Sequence, residues 1–62
     1  MPVVPRRDVK TAADLLQFLT DAAKKVNLDE VRISLEIANG RAICDQVEID
    51  RDTDLYLILD GI

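Results

Sequence analysis

From Thr11 onward, apolar residues recur at intervals of three and four: Ala12, Leu15, Leu16, Leu19, Ala22, Ala23 and Val26. At 3.6 residues per turn these positions gather on one stripe, leaving Asp14, Gln17, Asp21 and Lys24 on the opposite side. Thr11 and Asp14 have the spacing of a capping box, in which the two side chains satisfy amides left unpaired at a helix start. Lys24 and Lys25 fall in the last turn, where cations suit the helix dipole, and Asn27 is placed to supply a left-handed stop. The spacing therefore predicts a helix over 11–26. Phe18 lies at the border of the stripe, placed to cover the edge of a core or to meet a partner.

Beyond the helix the period changes to two. Val31, Ile33, Leu35 and Ile37 alternate with Arg32, Ser34, Glu36 and Ala38, the pattern of a strand with one buried face. Asn39-Gly40 marks a hairpin, and register selects its loop, because a slip of one residue sends every side chain to the wrong face. A three-residue loop, Ala38-Asn39-Gly40 with Gly40 in the left-handed bulge position, sets Leu35 across from Ile43 and Val31 across from Val47. The run from Asp50 to Asp54 makes a second turn, after which Leu55 faces Ile49 and Leu57 lies beside Val47. The expected fold is α+β, one N-terminal helix packed on a three-stranded antiparallel meander (αβββ), with strands at about 30–37, 41–49 and 55–60. Residues 11–62 form one small domain in this reading. Residues 1–10 contain both prolines and read as an extended arm, Val3 and Val4 offering a short edge strand or a clip onto a partner.

The third strand is apolar on both sides. Its outward residues Tyr56 and Ile58 would join Ala42 and Cys44 in a patch on the face away from the helix, and such patches mark contact surfaces. The expected interface is therefore Ala42, Cys44, Tyr56, Ile58 and Phe18. Size adds to this expectation, because a chain of 62 residues removes only about 60% of its unfolded surface from water on folding. Self-association, with a dimer favoured, supplies further burial.

Composition removes several kinds of chemistry. There is no His, so the commonest general base and nitrogen metal ligand are missing. Two glycines, at 40 and 61, do not make a phosphate-cradling loop. Cys44 is the sole thiol; it falls mid-strand near carboxylates that oppose thiolate formation. Asp50, Asp52 and Asp54 offer alternate oxygens, but a calcium loop counted from Asp50 would need Gly and Glu where Leu55 and Gly61 stand. No catalytic residue, no metal site and no cofactor are expected. Asp45 falls on the inward face opposite Ile33, so it needs the sheet margin or a cation, Arg41 or the arm's Arg6 and Arg7.

The net charge of −4 is unevenly spread: residues 1–10 carry +2, residues 11–27 balance, and the remainder carries −6. An acidic body with one Phe, one Tyr and no Trp is poor in both phosphate contacts and stacking surfaces, so nucleic acid is not the expected partner. A single cysteine fits a reducing, cytoplasmic setting, and no run approaches the roughly 20 apolar residues that span a bilayer.

A helix ahead of short strands resembles, in element order, the bacterial Sm-like RNA-binding proteins, which assemble into rings; that resemblance implies an RNA-binding alternative. The stretch after Leu28 has length for three strands rather than the five of that family. The residues themselves point to a small non-enzymatic interaction or assembly module, self-associating and regulatory in use. An acidic inhibitor or antitoxin-type partner of a basic protein would use the same surface.

Overall fold

Helix α1 (Ala12–Ala22) begins where its capping residues dictate. The Asp14 amide donates to Thr11 Oγ1 at 3.2 Å, while the amides of Thr11 and Lys10 donate to Asp14 Oδ2 at 3.1 and 3.0 Å. The other end differs from expectation. The helix stops at Ala22, and the amides of Lys25 and Val26 return to the Ala22 carbonyl in a closing turn. Asn27 takes an extended conformation, φ −82°, instead of a left-handed one, and its side chain accepts from the Asp29 amide to cap a short 3-10 turn at Leu28–Glu30.

The computed structural model describes residues 2–35 and 43–61. Over these the chain is a small α+β fold, one helix on a mixed sheet of four strands: β1 (Pro2–Asp8), β2 (Val31–Leu35), β3 (Cys44–Arg51) and β4 (Leu55–Gly61). Their order across the sheet is β1-β3-β4-β2, with β3 antiparallel to both neighbours and β2 parallel to β4. The three-stranded antiparallel meander is thus corrected in three respects. Residues 2–8 are a strand, β2 and β3 are not neighbours, and one pairing is parallel. The Asn39-Gly40 loop proposed for the lost hairpin lies outside the described residues.

These differences share one cause. A strand, a helix and a second strand joined in sequence return the chain to its starting end, so β1 and β2 run the same way. The β3–β4 hairpin then fits between them, antiparallel to β1 through β3 and parallel to β2 through β4. Pro2 and Pro5 are compatible with β1 because it is an edge strand, and the register slips on either side of Val4.

The β3–β4 pairing keeps the expected faces with other partners. Ile49 stands opposite Leu57, and Val47 opposite Leu59, a shift of two residues that leaves the side chains of β3 from Gln46 onward, and those of β4 facing them, on their predicted sides. Val47, Ile49, Leu55 and Leu57 are buried with Val4, Val9, Phe18 and Ala22 in one core. The helix is rolled relative to its predicted stripe. Phe18 is wholly buried, Leu15, Leu19 and Val26 pack around the core, and Leu16 is 66% exposed. The apolar stripe is wider than one sheet contact covers, and the largest side chain takes the centre.

Arg7, on the helix side of β1, ties the two layers together. Its Nη1 donates to Asp21 Oδ2 at 2.9 Å, and the guanidinium lies 5.5 Å from the centre of the Phe18 ring. The hydrogen bond from Arg7 holds the Asp21 carboxyl below its ordinary value, as the amides of Lys10 and Thr11 do for Asp14. A carboxyl whose pKa is lower folded than unfolded stabilises the fold above the unfolded value, and that contribution disappears as pH falls through the folded one. Urea midpoints should therefore fall as pH drops below about 4. Asp21→Asn should flatten this dependence, and an equally steep loss in the variant would remove Asp21 from the account.

Candidate docking surface on the open sheet face

Helix α1 occupies one face of the sheet, and the described residues hold no second helix for the other. Strand alternation and register set that open face: Gln46, Glu48 and Asp50 of β3, Tyr56, Ile58 and Asp60 of β4, and Arg32 and Ser34 of β2. Glu48 stands opposite Ile58, Asp50 opposite Tyr56, and Tyr56 and Ile58 continue sideways to Arg32 and Ser34.

The face has two halves of different chemistry. Toward β1, Arg6 reaches across three strands. Its Nη1 donates to Gln46 Oε1 at 2.9 Å, and its Nη2 lies 3.1 Å from Glu48 Oε1 and 2.8 Å from Asp60 Oδ2. Gln46 Nε2 in turn donates to Asp8 Oδ1 at 3.0 Å. The bond to Glu48, and then the charge of Asp60, push the Arg6 pKa further up, so the guanidinium stays charged at any physiological pH. This half satisfies its own polar groups and remains half-exposed. Toward β2, Tyr56 and Ile58 are half-buried and border two shallow hollows that meet at Ser34 and Ile58, one rimmed by Asp50 and Asp52, the other by Asp60.

The expected interface residues divide. Tyr56 and Ile58 share the open face as the alternation required. Cys44 does not join them, because the β3–β4 register slips between Cys44 and Gln46, so Cys44 stands against Gly61 and turns to the helix side. There it packs against the core and lines an apolar groove with Leu15, Ile43 and Leu59, its Sγ 3.4 Å from the Gln46 carbonyl. Phe18 is core rather than surface, with no exposed area. Ala42 lies outside the described residues. Asp45 sits half-buried at the slip, its carbonyl accepting from the Val9 amide at 2.9 Å. It acts on Arg6 only through charge, so the basic segment serves Glu48 and Asp60 ahead of Asp45.

The hollow at the start of β2, lined by Asp29, Glu30, Arg32, Arg51, Thr53 and Asp54, carries the charge of a solvated surface and lacks the apolar walls of a small-molecule site. No cluster of three metal-ligating side chains forms among the described residues, and no described helix is long and apolar enough to cross a membrane. Comparison with protein-family models, with curated proteins and with solved structures finds no match for the chain. The element order behind the Sm-like resemblance also differs, since a strand precedes the helix.

The Arg6 lattice escaped the sequence reading. Its signal was nevertheless present: Gln46, Glu48 and Asp60 share the parity of Tyr56 and Ile58, so a cation on a neighbouring strand would meet them.

Proposed function

We propose that the protein is a non-enzymatic interaction module that docks, first of all on a second copy of itself, through the open sheet face at Tyr56 and Ile58. The supporting observation is that two large side chains stand side by side on a face without a described covering layer, next to a polar half that is already internally paired. A sheet with one packed and one open face is stable in water when the open face is polar, and the β4–β2 half departs from that condition. Stacking two copies by these faces buries Tyr56 and Ile58, with the carboxylates at the rim left in water. The same rim of Asp50, Asp52 and Asp60 suits a neutral or basic protein partner and repels phosphates.

Ile58→Lys places a cation in the middle of the proposed contact while leaving the helix side of the sheet unchanged. Sedimentation equilibrium should show the face-to-face assembly lost in this variant, with the circular dichroism spectrum retained. A folded Ile58→Lys protein that assembles as the wild type does would refute docking through this face.

A further inference from the structure

The two edges of the sheet are built differently, and the difference points to a second contact surface. Edge strands present unpaired backbone groups, which natural proteins blunt with proline, charge and bulges. Strand β1 has all three: Pro2 and Pro5, Arg6 and Arg7, and two slips of register against β3. Strand β2 has only one charged residue, Arg32. It contains no proline, and its pairing with β4 runs through all five residues, Val31 to Leu35, without a slip. Among the described residues no strand pairs with its outer side, which is thus a row of amide and carbonyl groups about 16 Å long at roughly 3.3 Å per residue.

An exposed apolar side chain accompanies that row. Ile33 pairs with buried Leu57 and so belongs to the helix side of the sheet, yet it is 70% exposed while Leu57 is 5% exposed. The helix contacts the sheet from the β1 side, and its cover does not extend to Ile33.

We infer that β2 pairs antiparallel with β2 of a second copy about a two-fold axis normal to the sheet, joining the two sheets into one of eight strands. Such an axis keeps both helices on one side, so the helix-side faces of the two copies become continuous. Residues directly opposite in an antiparallel pair share a face, so odd positions must meet odd positions. In the registers centred on Arg32 and on Ile33, Ile33 therefore meets Val31 or Ile33 of the second copy, an aliphatic residue in both cases. A register centred on Arg32 opposes two like charges and is disfavoured. The register centred on Ile33 uses all five residues, brings the two Ile33 side chains together, and sets each Arg32 opposite a Ser34 hydroxyl that can accept from it. So short a strand buries less than the ~800 Å² per partner of a standard interface, so the assembly should be weak and depend on concentration. This surface is separate from the open face: edge pairing and face stacking use perpendicular axes, which close a tetramer when the two axes intersect.

The experiment compares the wild type with Ile33→Lys, Ile58→Lys and the double variant by sedimentation over a concentration series, with hydrogen exchange of residues 31–35 at both ends of it. Lys at the exposed position 33 costs no core packing, and the circular dichroism spectrum checks that the fold is kept. The expected result is a halving of assembled mass in Ile33→Lys, and amide protection in β2 that rises with concentration in the wild type and not in that variant. An assembled mass unchanged by Ile33→Lys, or β2 amides whose protection ignores concentration, overturns the edge proposal. Loss of assembly in Ile58→Lys alone would leave face docking standing while the edge proposal falls. A wild type that stays monomeric throughout removes both.

Discussion

Phe18→Ala is expected to unfold the protein at room temperature. The ring has no exposed area, and around it pack β1, β3, β4 and the rest of the helix. Truncating a buried Phe to Ala costs roughly 3–5 kcal/mol, the lost transfer energy plus the cavity left behind. A chain of 62 residues, at about 0.05–0.15 kcal/mol per residue, has a total stability of a few kcal/mol up to about 9. The substitution therefore removes a large part of what holds the fold, and it also leaves Arg7 without the ring beneath it. Chemical denaturation followed by circular dichroism should show no folded baseline, or one confined to the lowest denaturant. Phe18→Leu, which keeps most of the volume, should retain a cooperative transition at a lower midpoint. A Phe18→Ala protein with the wild-type midpoint would mean that the ring is not the centre of the core.

Removing residues 1–8 should be equally destructive, which separates a strand from an arm. An arm can be cut away with little effect on the body that carries it. Strand β1 instead covers one side of β3: Val4 is 4% exposed beside Ile49, which has no exposed area, and Val47, opposite Arg7, is 1% exposed. Deletion opens both core residues to water, turns β3 into a bare edge, and takes away the Arg7 link to the helix. Replacing residues 2–8 with a flexible Gly-Ser segment should give the same outcome, showing that the pairing matters rather than the chain length. The truncated protein should lack a cooperative thermal transition and expose apolar surface to a dye. A sharp transition near that of the full chain would return residues 1–8 to the status of an appendage.

The residues proposed for docking were legible in proportion to how locally their positions were specified. Tyr56 and Ile58 were readable as outward-facing because alternation within one strand assigns sides without reference to any partner. Cys44 was misplaced because a slip of one residue between it and Gln46 inverts that assignment, and nothing in the local pattern signals the slip. Phe18 was misplaced because an apolar stripe wider than its contact has no unique centre until the sheet is laid against it. The unblunted edge of β2 had no signal at all, since which strands are edges depends on the order of the whole sheet.

Sequence by itself determined the features that are periodic or chemical and local: the Thr11–Asp14 cap, a helix followed by strands, the inward sides of Val47, Ile49, Leu55 and Leu57, and an aspartate-rich turn within 50–54, of which Asp50 and Arg51 prove to be the end of β3. Only the tertiary structure decided that residues 2–8 are a strand, that β2 lies beside β4 instead of β3, and that Phe18 fills the core. The physical reason is that strand pairing joins residues far apart in the chain through backbone groups that every residue carries. Side-chain pattern therefore restricts which face a residue takes but leaves open which neighbour it has. That choice is settled by how one helix and four strands together bury the same few side chains.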